Sequence, residues 1–214
     1  MIHVIRSGIF SVNSLIVPVE KNKVFLVDPA SCKLSGDENS ILDYLKKKKL
    51  ECLGIVLTHC HFDHITGLKI IKENFPQAKI AIHQAEFNQL QNPPGSINES
   101  AISFFGLPAL YELLSELPEA DLALTDGCDY FGWKVIHTPG HSPGSICLYK
   151  EACPEYEKGA LISGDTLFDY GGYGRTDLEG GNEAVIMQSL SLLKRKIPAG
   201  TLVYPGHDSF GFSF

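Results

Sequence analysis

Residues 53–64 read Leu53-Gly54-Ile55-Val56-Leu57-Thr58-His59-Cys60-His61-Phe62-Asp63-His64. An apolar, β-branched run of strand length stops abruptly at three histidines and an aspartate. If the strand stays extended, His59 and His61, two residues apart, project to the same side. Cys60 then faces the other way, as filler for the core. At Asp63 and His64 a helix begins and the chain turns, so these two side chains aim elsewhere. Two histidines can thus serve one metal ion while Asp63 and His64 serve a second. Imidazole and carboxylate are ligands for Zn, Fe, Co or Mn. With no thiolate in the set, zinc comes first and iron and manganese stay open.

The same design recurs three times further along. Trp133–Ile136 leads through His137-Thr138-Pro139-Gly140 to His141. Ala160–Ser163 leads to Gly164-Asp165, and Leu202–Tyr204 leads to Pro205-Gly206-His207. Each apolar strand delivers a His or Asp just past its C-terminal end, where a rigid element can hold it. Taken singly, such residues are ordinary: Asp63 suits a helix N-cap and Asp165 a turn. Five of the eight histidines in the chain fall in this one pattern, which points to a metal site. His3, His83 and His137 lie outside it and read as structural.

Between these stations strands and helices alternate. Val12–Val19 and Val24–Val27 read as a hairpin with Asn22 in its turn. Asp37–Lys49 reads as a helix with Ile41, Leu42 and Leu45 on one face, and a second helix runs from His64 to Phe75. Lys79–Ile82 is a strand. Asn88–Ala120 is the least regular stretch, a place for a lid or contact surface, with a Pro93-Pro94-Gly95 loop and a helix at Pro108–Leu117. Strands resume near Asp129–Phe131, Trp133–His137, Ser145–Tyr149 and Ala160–Ser163. Glu183–Lys196 is an amphipathic helix with Val185, Leu190 and Leu193 apolar, and Thr201–Tyr204 is the last strand. This order predicts sheets covered by helices.

The 214 residues suffice for one large domain, and 44% hydrophobic residues can form an ordinary core. A net charge of −7 argues against a nucleic-acid partner. The one basic run, Lys46–Lys49, suits the C-terminal end of a helix. No apolar run reaches membrane-spanning length and no signal-like segment opens the chain, so a cytoplasmic protein without membrane contact is expected. The six scattered cysteines form no C-x-x-C pair and read mostly as small buried hydrophobes.

Thr58-His59-Cys60-His61-Phe62-Asp63-His64-Ile65-Thr66-Gly67 resembles the H-x-H-x-D-H signature of the metallo-β-lactamase superfamily. His141 in His-Thr-Pro-Gly-His-Ser-Pro-Gly, Asp165 in Ser-Gly-Asp-Thr-Leu-Phe, His207 in Tyr-Pro-Gly-His and the early Val27-Asp28-Pro29 match in order. The resemblance implies an α/β (α+β) fold: a four-layer αββα sandwich of two mixed β-sheets with helices outside, spanning 1–214 as a single domain. It implies that His59, His61 and His141 bind one divalent metal ion, that Asp63, His64 and His207 bind another, and that Asp165 bridges them.

Within the superfamily, Gly174-Arg175-Thr176-Asp177-Leu178-Glu179-Gly180-Gly181 is similar to a segment of small glyoxalase II-like members. The implied activity is thioester hydrolysis by a water activated between the two ions, with Asp63 as the catalytic carboxylate. The implied partner is a small molecule, a glutathione thioester in the first instance. Tyr173 and Arg175 are the candidate substrate-binding residues. The C-terminal helical domain with which full glyoxalase II holds glutathione is not expected here. Persulfide dioxygenases carry a similar motif and would use one iron on His61, His141 and Asp165. A lactonase or phosphodiesterase on the same site is a further alternative.

Overall fold

The computed structural model describes residues 1–91 and 96–214. Two six-stranded sheets make up its centre. The first contains, in spatial order, β1 (His3–Ser7), β2 (Val12–Glu20), β3 (Lys23–Val27), β4 (Glu51–Val56), β5 (Lys79–His83) and β6 (Leu122–Leu124). The pairs β1–β2 and β2–β3 are antiparallel, while β3–β4, β4–β5 and β5–β6 are parallel. The expected hairpin is β2–β3, and Asn22 takes the left-handed conformation in its turn (φ 64°).

The second sheet runs β12 (Phe212–Ser213), β11 (Leu202–Pro205), β10 (Ala160–Gly164), β9 (Ile146–Lys150), β8 (Trp133–His137) and β7 (Asp129–Tyr130). Its β10–β11 pair is parallel and the others antiparallel. Both sheets are therefore mixed.

Alternation along the strands builds the layers. Phe25 and Val27 of β3 pack inward with Leu15, Val17 and Val56 against Trp133, Val135, Ile146, Leu148 and Ile162 of the second sheet. Their neighbours Val24 and Leu26 face the opposite way, onto helices. There Ile41 and Leu45 of α1 (Ser40–Lys48), Leu68 and Ile71 of α3 (Leu68–Asn74), and Leu110 and Leu114 of α6 (Ala109–Ser115) cover the first sheet. Ile136, Cys147, Leu161 and Val203 on the outer face of the second sheet pack on Leu193 of α7 (Glu183–Lys196). Strands β3 to β5 are buried on both faces, which is why they read as continuous apolar runs. The result is the expected αββα sandwich.

The structure corrects several local expectations. The single helix from His64 to Phe75 is two: α2 (Phe62–Ile65) and α3, broken at Thr66-Gly67. There the chain docks on the loop after β3. Thr66 Oγ1 donates to Ala30 O at 2.6 Å and Gly67 N–H to Pro29 O at 2.8 Å, and a Cβ on Gly67 would lie 2.8 Å from that oxygen. The α7 face that packs inward is Ile186, Ser189 and Leu193, not Val185 and Leu190, which are half-buried.

Within 88–120, α4 (Phe87–Gln91) and α5 (Ser96–Phe105) precede α6, so the stretch is more helical than its sequence pattern indicates. Pro93-Pro94-Gly95 lies outside the described residues. Strands β1, β6 and β12 had no distinct signal. All six cysteines are free thiols, four of them buried. Among the described residues no helix is long and apolar enough to cross a membrane.

Candidate metal centre

The loop after β4, the loop after β8, the end of β10 and the end of β11 meet at one edge of the sandwich. His59, His61, Asp63, His64, His141 and Asp165 are all buried there, and His207 is half-buried. Ligand-type atoms of His59, His61 and His141 lie within 4.8 Å of one another, as do those of Asp63, His64 and His207. His61 Nδ1 is 2.8 Å from His141 Nε2, which is 3.2 Å from His59 Nε2. His64 Nε2 is 3.3 Å from His207 Nε2, and Asp63 Oδ2 is 3.3 Å from the latter.

Asp165 lies between the two groups. Its Oδ2 is 3.6 Å from His141 Nε2 and 3.5 Å from His207 Nε2, and its Oδ1 is 3.5 Å from His64 Nε2. The backbone makes room for it: Gly164 adopts φ 48°, and a Cβ on Gly206 would strike Asp165 Oδ1.

Outer contacts orient most of these rings, as metal-ligating histidines require. His64 Nδ1 lies 3.0 Å from Asp28 Oδ2, and His141 Nδ1 2.7 Å from the Arg175 carbonyl. His59 Nδ1 meets Thr58 Oγ1 at 3.0 Å and His207 Nδ1 meets Phe10 O at 3.2 Å. The Nε2 atoms of these four histidines are thereby turned toward the cluster. Asp28 also accepts from Thr58 N–H (2.8 Å) and Thr58 Oγ1 (2.6 Å), and holds its own backbone at a left-handed φ of 47°.

The electrostatics suit a cation. Burial, then the neighbouring imidazoles, holds His59 well below its usual pKa; burial and His141 push His61 down to about 3. Burial opposes charge on Asp165, but His64 beside it keeps its carboxyl well below the carboxylate range. His64 is the converse: burial disfavours its charge, and Asp165, Asp63 and Asp28 together raise it well above the ordinary value. Buried carboxylates thus gather positive charge at the point where a divalent ion would supply it. His61 Nε2 and Asp165 Oδ1 are buried without a hydrogen-bond partner. This donor set of imidazoles and carboxylates fits divalent metal ions.

Two buried side chains outside the expected set join the parts. Glu86, fully buried after β5, accepts the Cys60 N–H and the Gly144 N–H, both at 2.7 Å, and so ties the His59–His64 loop to the loop after His141. Asn98 of α5 donates to Cys60 O at 2.8 Å. Neither sits in a motif; a lone Glu and a lone Asn carry no spacing signal. Cys60 itself packs in the core, where burial and Glu86 push its thiol pKa up. His83 and His137 stack on each other, centroids 3.9 Å apart, away from the cluster.

A cavity of about 410 Å³ opens in front of the cluster. It is lined by His61, Asp63, His141, Asp165 and His207, and by Phe10, Phe62, Phe105, Phe168 and Arg175 among others. Arg175 is one of these lining residues, with its guanidinium paired to Asp177 (2.7 and 2.8 Å). Tyr173 is not. Its hydroxyl donates to Glu183 at 3.2 Å, and it borders a separate hollow with Leu167, Met187 and Leu190. Proximity to Arg175 in sequence therefore does not bring Tyr173 to the cavity.

A mixed-sheet αββα sandwich with a His/Asp cluster at one edge defines the class of metal-dependent hydrolases. The sequence matches the description "Metallo-beta-lactamase superfamily" over residues 7–207, and the chain belongs to that superfamily. It is 36% identical to the probable metallo-hydrolase YqgX of Bacillus subtilis, covering 89% of this chain and 86% of that one. It is 27% identical to the hydroxyacylglutathione hydrolase GloC of Haemophilus influenzae, covering 92% and 85%. Among solved structures it resembles the BLEG-1 B3 metallo-β-lactamase (TM-score 0.81, 30% identity, 100% of this chain and 94% of that one). It also resembles TTHA1623 in a di-iron-bound form (TM-score 0.75, 28% identity, 97% and 92%).

Proposed function

We propose that the chain is a dinuclear metal-dependent hydrolase of thioesters. His59, His61 and His141 hold one divalent ion, Asp63, His64 and His207 hold the other, and Asp165 is shared. The position of Asp165 carries the reading, because one carboxylate oxygen lies within 3.6 Å of a histidine from each group. When bound, two such ions supply a Lewis acid for the carbonyl and an acidified water as nucleophile. Asp63, at the floor of the cavity, orients that water and takes its proton. The buried outer contacts of His59, His64 and His141 keep their rings fixed while charge develops. The products are a carboxylic acid and a thiol.

The relative from Haemophilus influenzae, by its name, supports the choice of bond. A mononuclear iron dioxygenase on His61, His141 and Asp165 would leave Asp63, His64 and His207 without a role, although they converge as closely. Zinc is the favoured ion; the di-iron form of a similar structure keeps iron in view.

The test is hydrolysis of a thioester panel, S-D-lactoylglutathione included, by protein reconstituted separately with zinc, iron and manganese. Metal-dependent thioester cleavage that Asp63→Ala abolishes is the expected result. An Asp63→Ala variant with full metal content and undiminished rate would overturn the role of Asp63. Oxygen uptake with glutathione persulfide, in place of thioester cleavage, would overturn the reaction.

A further inference from the structure

The metal cluster forms only the floor of the cavity; its side is a continuous aromatic surface. Phe10 lies 5.7 Å from Phe62 and 5.1 Å from Phe105, and Phe62 lies 6.0 Å from Phe105, ring centre to ring centre. Phe104 extends the row at 5.1 Å from Phe105. Phe168 also lines the opening, 6.3 Å from the ring of His207, as do Ala101 and Leu178. Phe10 and Phe105 remain 37% and 36% exposed, which is apolar surface left in water beside the reactive centre.

The charge on this side is already matched. Arg175 is the one Lys or Arg among the described lining residues. Its Nε and one Nη donate to Asp177, and its guanidinium lies over Phe104 at 4.4 Å and Phe105 at 5.3 Å. Asp208 also lines the opening. Arg175 thus serves as a flat, neutralised roof for the rings, a geometry that suits guanidinium stacking. An anionic group entering here would meet Asp208 and a guanidinium that is already shared. An apolar group would meet the Phe10, Phe62 and Phe105 rings, with the guanidinium already stacked against Phe105.

We infer that the Phe10–Phe62–Phe105 surface is an acyl pocket, which selects thioesters with an apolar, uncharged acyl group, such as an arylacetyl or branched alkanoyl chain. This rests on the thioester reading and narrows it. Phe105 is the specificity-determining residue, because it touches Phe10, Phe62 and Phe104 and meets the Arg175 face.

The experiment compares phenylacetyl and lactoyl thioesters of one neutral carrier, N-acetylcysteamine. In parallel, calorimetry measures binding of the benzyl thioether of the same carrier, which cannot be hydrolysed. The metal-loaded wild type should favour the phenylacetyl thioester in kcat/KM by about tenfold or more, as burial of an apolar ring predicts. Phe105→Ser should erase that preference and weaken thioether binding by about the same factor, whereas Phe105→Leu should keep most of both. Equal turnover of the two thioesters, with thioether binding indifferent to Phe105, would overturn the acyl pocket and leave thioester hydrolysis standing. Thioether binding that depends on Phe105, with no thioester cleaved by any metal form, would retain the apolar pocket and overturn the reaction.

Discussion

The floor and the side of the active cavity are built on different terms. The floor is made of side chains delivered by strand ends from both sheets, almost all buried, and four of its histidines are held by a second contact on the far ring nitrogen. The side is made largely of α5 and the loop after β1, with phenylalanines left over a third exposed. Rings packed in this way slide and repack more easily than hydrogen-bonded imidazoles, because apolar contact is not directional. The His and Asp cluster is therefore tied to the sandwich, and the apolar side of the cavity to a helix and a loop laid over its edge. That division lets one floor serve many reactions while the side varies.

The comparison breaks first at Asp165. Asp165→Ala removes the carboxylate that touches both groups, so metal content by elemental analysis and hydrolysis should be lost together; full metal retention would show that the two groups are independent. One shell further out, Asp28→Ala leaves His64 Nδ1 without its carboxylate. Metal affinity, measured by chelator competition, should fall by about 10–100-fold. An unchanged affinity would mean that His64 needs no orienting partner.

Glu86→Ala tests whether the floor is one unit. It strands the buried N–H groups of Cys60 and Gly144, each at a cost of about 1–3 kcal/mol. Urea unfolding of metal-free protein should show the loss, and a smaller loss would mean that the two loops hold themselves.

A milder effect lies outside the cavity. Burial, then the neighbouring imidazole of His137, lowers His83 to about 4. The unfolded chain binds this proton near pH 6.5, so between pH 6.5 and 4 the unfolded state binds more protons and stability falls as pH falls. A His83→Leu variant should show a flatter thermal-stability profile across that window; an identical profile would remove His83 as the cause. The smallest effect belongs to Tyr173→Phe, which should leave kcat/KM unchanged and stability within about 0.5 kcal/mol. A marked rise in KM would return Tyr173 to the substrate.

Much of the floor could be read directly from the chain. Apolar runs that end in His or Asp announce strands with ligands at their tips, and seven such residues converge in the fold. Strands β3 to β5 were legible as continuous apolar runs, and helix α7 was legible in its extent though not in its buried face. Strands β1, β6 and β12 were not, since two to five residues carry too little pattern. The break between α2 and α3 depends on a loop after β3, which local sequence cannot sense.

Sequence alone determined the residue types, their order and their placement after strands, because ligand chemistry and side-chain period are local properties. Tertiary structure alone decided that Glu86 and Asn98 fasten their loops, that Phe10 and Phe105 meet across 95 residues of chain, and that Tyr173 faces away. Those facts are distances between distant parts of the chain, and only packing sets them.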